Sequence, residues 1–184
     1  MHHLAPTRSI LAGTPLALLL IALAAANCSL GGRGDDDTAG EVSVSADQEE
    51  RMCPALGSST YKPRSAGPSK DSCDAIDAQA GCKQIALADF EGKKGGYLEL
   101  AMEPSAETPV FLLIDAPVPF RVERADGTQA DFLESGKSSE LCQAAGGRYL
   151  WIVDQATNYL VFGPTDEEIV NITLETVDGE DTAP

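Results

Sequence analysis

Glu168–Val177, EIVNITLETV, alternates without a break. Val170, Ile172 and Leu174 fall on one face, and Asn171, Thr173 and Glu175 fall on the other. A period of two over ten residues is the pattern of a half-buried strand. The same rhythm continues upstream. Pro109–Ile114 (PVFLLI) is apolar throughout, as in a buried strand. Gly96–Met102 sets Leu98, Leu100 and Met102 against Tyr97 and Glu99, and Gln84–Phe90 alternates around Ile85, Leu87 and Ala88. Phe120–Glu123 turns Phe120 and Val122 inward. Asp126-Gly127 is a hairpin-turn dipeptide, and a strand over Thr128–Leu133 follows it. Arg148–Val153 and Tyr159–Phe162 are rich in aromatic and β-branched residues. Turn-like Glu91–Gly96, Ala125–Gly127, Gly146-Gly147 and Gly163-Pro164 separate these runs. About seven or eight short strands over 83–177 predict an all-β fold, an antiparallel β-sandwich or jelly roll.

The flanks of this domain read differently. A short helix is expected over Ala46–Met52. Residues 48–82 are rich in Ser, Pro, Gly and Lys, including Lys62-Pro63-Arg64, and predict an irregular lobe that needs covalent staples. Cys53, Cys73 and Cys82 lie in it, and Cys142 lies in the β-domain. Four cysteines permit three pairings. Cys73–Cys82 with Cys53–Cys142 is slightly favoured over Cys53–Cys73 with Cys82–Cys142. Zinc is disfavoured because paired C-x-x-C knuckles are missing. The tail, 178–184, is acidic and reads as disordered.

The first 27 residues read as a signal peptide. The unbroken apolar run Leu16–Ala26 (LALLLIALAAA) would rise only about 16 Å as a helix, against a hydrocarbon core of roughly 30 Å. Two processing sites are available. Ala24-Ala25-Ala26 is an ordinary A-x-A site. Leu23-Ala24-Ala25-Ala26-Asn27-Cys28 resembles the lipobox of bacterial lipoproteins, with Asn27 where Gly or Ala is commoner. That resemblance implies a diacylglyceryl group on Cys28. It also implies an outer-membrane destination, because Ser29 rather than aspartate follows the cysteine. Cysteine parity agrees: acylating Cys28 leaves an even set of four for an oxidising compartment. Residues 28–47 then form the lipidated cysteine and a flexible acidic tether of roughly 25 Å average span. The strand rhythm beyond it resembles, loosely, the small β-sandwich domains of exported bacterial proteins.

Charge and missing residue types exclude several activities. Arg8 is the only Lys or Arg before Cys28, so the exported part carries 12 basic against 29 acidic residues, a net charge of −17. Nucleic acid is disfavoured as a partner, and anionic lipid exerts no overall pull. Both histidines, His2 and His3, precede Cys28. Histidine-dependent nucleophiles, bases and metal sites are therefore excluded from the exported part. Gly92-Lys93-Lys94-Gly95-Gly96 lacks nucleotide-loop spacing. Asp115, Asp126, Asp131, Glu134 and Glu140 sit on or near expected loops, where two could serve as acid and base, or several could hold calcium. Asp35-Asp36-Asp37 lacks the ligand spacing of a calcium loop and reads as solvated tether. Arg33-Gly34-Asp35 and Asn171-Ile172-Thr173 are short matches expected by chance. Tyr149, Trp151 and Tyr159 are a candidate ligand surface; core packing is the commoner fate of such residues.

The expected protein is a lipid-anchored, non-enzymatic envelope module without a cofactor. Its contacts are the membrane, through Cys28, and a protein or glycan partner. The alternatives are a carboxylate-dependent hydrolase of envelope polysaccharide and a disulfide-stapled inhibitor presenting Tyr61–Pro68.

Overall fold

The expected strand at Pro109–Ile114 becomes β6 (Thr108–Ile114), and the fold is organised around it. The structure is a computed structural model that describes residues 42–102, 107–154 and 157–177. Helix α1 (Ala46–Leu56) comes first, then β1 (Lys62–Ser65), a 3-10 turn (Lys70–Ser72) and β2 (Ala75–Ile76). β3 (Lys83–Ala86), β4 (Ala88–Phe90) and β5 (Lys93–Ala101) precede β6. β7 (Phe120–Arg124), β8 (Phe132–Lys137), β9 (Gly147–Val153), β10 (Thr157–Thr165) and β11 (Ile169–Thr176) follow it. One sheet runs β1-β3-β11-β6-β9-β8; the other runs β2-β5-β10-β7, with β4 also on β5. Neither is closed.

The alternation read from the sequence sets which side chains are inside. Val170, Ile172 and Leu174 of β11, Val110, Leu112 and Ile114 of β6, Leu98 and Leu100 of β5, and Leu160 and Phe162 of β10 are fully buried in one cluster. Strands of both sheets contribute to it. The other half of β6 is equally buried. Phe111 and Leu113 face Met52 and Leu56 of α1 in a second cluster with Leu150 and Val177. Thr173, expected on the solvent face, is fully buried for the same reason: the helix covers that side of the sheet.

Helix α1 forms where its end signals are good. Ser45 caps it, its side chain accepting from the Gln48 N–H, and Asp47 and Glu49 occupy the first turn. Gln48, Glu49, Met52 and Leu56 make one buried face. The Gln48 side-chain amide donates to the Thr176 carbonyl at 2.9 Å. Glu49, only 2 % exposed, meets Arg148 at 3.0 Å; Arg148 also reaches Glu134 at 3.2 Å and lies over the Phe111 ring. Cys53 on the helix is bonded to Cys142, which closes the attachment covalently.

Four expectations are corrected. First, the sheets are mixed rather than antiparallel, because β1 pairs β3 in parallel and β2 pairs β5 in parallel. Second, these parallel strands come from 48–82, which is not an irregular lobe. It supplies most of the helix and an edge strand to each sheet, and Cys53 within it is stapled to Cys142. Between those strands Gly67 exchanges hydrogen bonds with Tyr97 across to β5. Gly96 permits that approach: its φ is 129°, and a Cβ there would overlap the Gly67 carbonyl. Third, Cys73 and Cys82 are free thiols. Cys73 leads into β2 on one sheet, and Cys82 leads into β3 on the other. The Cys73 thiol donates to the Lys70 carbonyl at 3.3 Å, and Cys82 is buried near the Leu56 carbonyl. Burial pushes both thiols above their usual pKa. The strand expected over Thr128–Leu133 also forms later, at Phe132–Lys137, because Gln129 and Ala130 still pair with β7.

Cys53 and Cys142 are 89 residues apart, a loop worth about 4–5 kcal/mol in the chain-entropy model. Replacing both with alanine lowers the unfolding free energy by about 2–5 kcal/mol in urea titrations. Native labelling with iodoacetamide leaves Cys82 unmodified, and labelling in denaturant modifies Cys73 and Cys82 but not the bridged pair.

Candidate functional site

The parallel pairing of β1 with β3 sets Lys62 opposite Lys83 and Arg64 opposite Ile85. Ile85 is fully buried in the main cluster, so this is the inner face of the six-stranded sheet at its edge. Lys83 is 3 % exposed there. Its ammonium donates to the Gln79 carbonyl at 2.7 Å and lies 3.9 Å from an Asp77 carboxylate oxygen. Asp77 and Gln79 belong to the crossover between β2 and β3. They line a cleft of about 430 Å³ together with Ala78, Ala101, Met102 and Thr176. Burial pushes the Lys83 amine below its ordinary pKa; Asp77 opposes the shift, and Lys62 and Arg64 add to it.

Arg64 is half-buried, with one Nη donating to the neighbouring Pro63 carbonyl at 3.0 Å. Its Nε is buried without a hydrogen-bond partner among the described residues. The contrast with the rest of the molecule is sharp. Arg51, Lys70, Lys93, Lys94, Arg121, Arg124 and Arg148 each reach a carboxylate. Lys62 and Arg64 have no such ion pair among the described residues.

A second cleft, of about 340 Å³, lies between the β4–β5 turn and residues 165–168. Its charges are mutually satisfied: Lys93 meets Asp166 at 2.9 Å and Lys94 meets Asp89 at 2.8 Å. The hydrogen bond from Lys94 holds the Asp89 carboxyl below its ordinary pKa, and the same bond holds the Lys94 amine up.

The carboxylates singled out by sequence have different partners, and Asp126 and Asp131 both lie near Arg124. Asp115 accepts from the Asn171 backbone and side-chain amides at 2.9 and 2.6 Å and ties β6 to β11. Asp126 closes its own turn by accepting from Thr128, which holds its pKa down. Glu134 belongs to the Arg148 network. Asp131 and Glu140 are exposed. Among the described residues no three His, Cys, Asp or Glu side chains are grouped to hold a metal ion. Asp35–Asp37 and Cys28 lie outside the described residues.

The aromatic candidates separate. Trp151 is fully buried and Tyr149 nearly so, on the inner face with Phe120, Phe132 and Phe162. Neither offers a surface to a ligand, and burial raises the Tyr149 pKa. Tyr159 is on the other sheet, half-buried, packed edge-on to Tyr97 and beneath the Lys70 ammonium. Within Tyr61–Pro68, β1 is hydrogen-bonded to β3 and Ala66 is buried.

No protein-family model matches this chain, and no curated protein matches it.

The cation face was visible in the sequence only as Lys62-Pro63-Arg64, two charges at strand spacing around a proline suited to an edge. Lys83 is twenty-one residues further on, and only the pairing brings it opposite.

Two outcomes follow from these burials. Trp151 fluorescence is blue-shifted in the native protein and resists acrylamide quenching. Lys83 binds its proton less tightly folded than unfolded. The unfolded state therefore holds more protons between the two pKa values, and stability rises with pH through that window. Urea unfolding from neutral pH to pH 10 shows that rise in the wild type, and it is diminished in Lys83→Met.

Proposed function

We propose that the protein is a lipid-anchored module of the bacterial cell envelope. Its two sheets form a β-sandwich held at the outer membrane by an acylated Cys28. Its role is to bind a protein or glycan partner, or to serve structurally, without catalysing a reaction.

The Cys53–Cys142 bridge carries this reading. A structural disulfide between a helix and the loop before β9 belongs to an oxidising compartment, which is where the resemblance to lipoproteins would deliver the chain. The position of α1 fits a tether. The helix starts at Ala46, capped by Ser45, beside the end of β11, where Gln48 holds the Thr176 carbonyl. A chain arriving from Cys28 thus joins the domain at the end that carries the 430 Å³ cleft, and the paired-charge cleft lies at the opposite end. Load on the tether would pass into α1 and through the disulfide to the sheet. Two or more acyl chains hold a protein stably at a bilayer, since each buried methylene contributes about 0.8 kcal/mol.

The test is metabolic labelling with a radioactive fatty acid, comparing wild type with Cys28→Ser. The expected result is label on the wild type alone and release of the variant from the membrane fraction. Equal label in both removes the lipoprotein reading.

A further inference from the structure

We propose that α1 is a redox-released cover. While Cys53 and Cys142 are bonded, the helix is locked onto the six-stranded sheet. When a dithiol reduces the bridge, the helix lifts away on its linkers and bares the apolar outer face of β6 and β9. This goes beyond the binding-module reading, and its test does not involve Cys28.

The helix is fastened at one covalent point and weakly held elsewhere. The chain on both sides of it is exposed: Val42 and Ser43 before it, Gly57–Tyr61 after it. An eleven-residue helix is marginal by itself, and Pro54 inside this one supplies no backbone N–H. Met52 and Leu56 give it an apolar seat against Phe111, Leu113 and Leu150. The polar part of that seat is incomplete. Glu49 Oε2 meets Arg148 Nη1 at 3.0 Å. Glu49 Oε1, Arg148 Nε and Thr173 Oγ1 are buried without a hydrogen-bond partner among the described residues. Unpaired buried polar atoms destabilise the seated helix, and water satisfies them once it lifts. Arg51 reaches Glu175 at 3.3 Å, but at the surface, where an ion pair adds little.

The bridge is open to attack from one side. Cys142 is fully buried, whereas Cys53 is half-buried. A thiolate of the dithiol attacks the Cys53 sulfur, the bond between Cys53 and Cys142 breaks, and Cys142 leaves as a thiolate that takes up a proton. The second thiol of the reductant then attacks the mixed disulfide and releases Cys53, which is also protonated. The dithiol ends as a disulfide, having given two electrons and two protons. Cys82 reports the movement. It is a buried free thiol whose sulfur lies 4.0 Å from the carbonyl of Leu56, the last residue of the helix.

The experiment uses the purified full-length protein in detergent. It is reduced with dithiothreitol, desalted without oxygen and pulsed with iodoacetamide, and each cysteine is read by mass spectrometry. Trp151 emission is recorded on the same samples. The expected result is that Cys82 is modified at least about tenfold faster once the bridge is reduced. Trp151 emission stays blue-shifted, because the core between the two sheets remains closed. Cys53→Ser/Cys142→Ser shows the fast modification of Cys82 without reductant. Glu49→Leu/Arg148→Met replaces the incompletely paired charges with apolar side chains and slows Cys82 modification several-fold in the reduced protein. Four outcomes overturn the proposal: a bridge that does not yield to dithiothreitol in the native protein, Cys82 still protected after reduction, a red shift of Trp151 that accompanies its modification, or an apolar variant modified as fast as wild type.

Discussion

The central strand β6 has no polar face. Val110, Leu112 and Ile114 on one side and Phe111 and Leu113 on the other are all fully buried. A single sheet packed on a second sheet buries only one of those sides. At about 1.5–3 kcal/mol for each large apolar side chain, exposing Phe111 and Leu113 would consume a large part of a typical domain's stability. The helix α1 is what the second side requires. It brings Met52 and Leu56 over the strand, and the bridge to Cys142 and the Glu49–Arg148 pair keep it there. A buried ion pair by itself adds little net stability. Here it fixes which face of a short helix is turned down, and the disulfide opposes its fraying.

The chain before β3 manages the edges. β1 extends one sheet, β2 extends the other, and Gly67 crosses between them. On the far side the chain leaves β7, still pairing through Gln129, before it enters β8 of the opposite sheet. Two open sheets thus have chain passing between them on both flanks. This arrangement sets Lys62, which is exposed, and Arg64, which is half-buried, along the same edge as the buried Lys83. It also keeps Cys73 and Cys82 apart, each leading into a different sheet.

Much of the β-domain was legible because strand periodicity is local. Val170, Ile172 and Leu174, Leu98 and Leu100, and Val122 are buried as the alternation predicts. Errors gathered where long-range pairing overrides local composition. Residues 48–82 look irregular because their Ser, Pro and Gly content is high, yet β1 and β2 need few apolar residues at a sheet edge. Thr173 looks solvent-facing until a helix more than a hundred residues earlier covers it. Tyr149 and Trp151 suit a core more often than a surface, and alternation alone cannot say which face of β9 is inside. The distinction between paired and unpaired lysines is likewise absent from composition.

The sequence alone determined the strand content, the inward faces of most strands, the exclusion of histidine chemistry after Cys28 and the strong acidity. Each follows from residue type and spacing within a few neighbours. The tertiary structure decided the parallel edge strands, the single bridge between Cys53 and Cys142, the burial of the aromatic cluster and the meeting of Lys62 with Lys83. Each depends on which distant segments pair, and pairing is set by burying both faces of β6 at once.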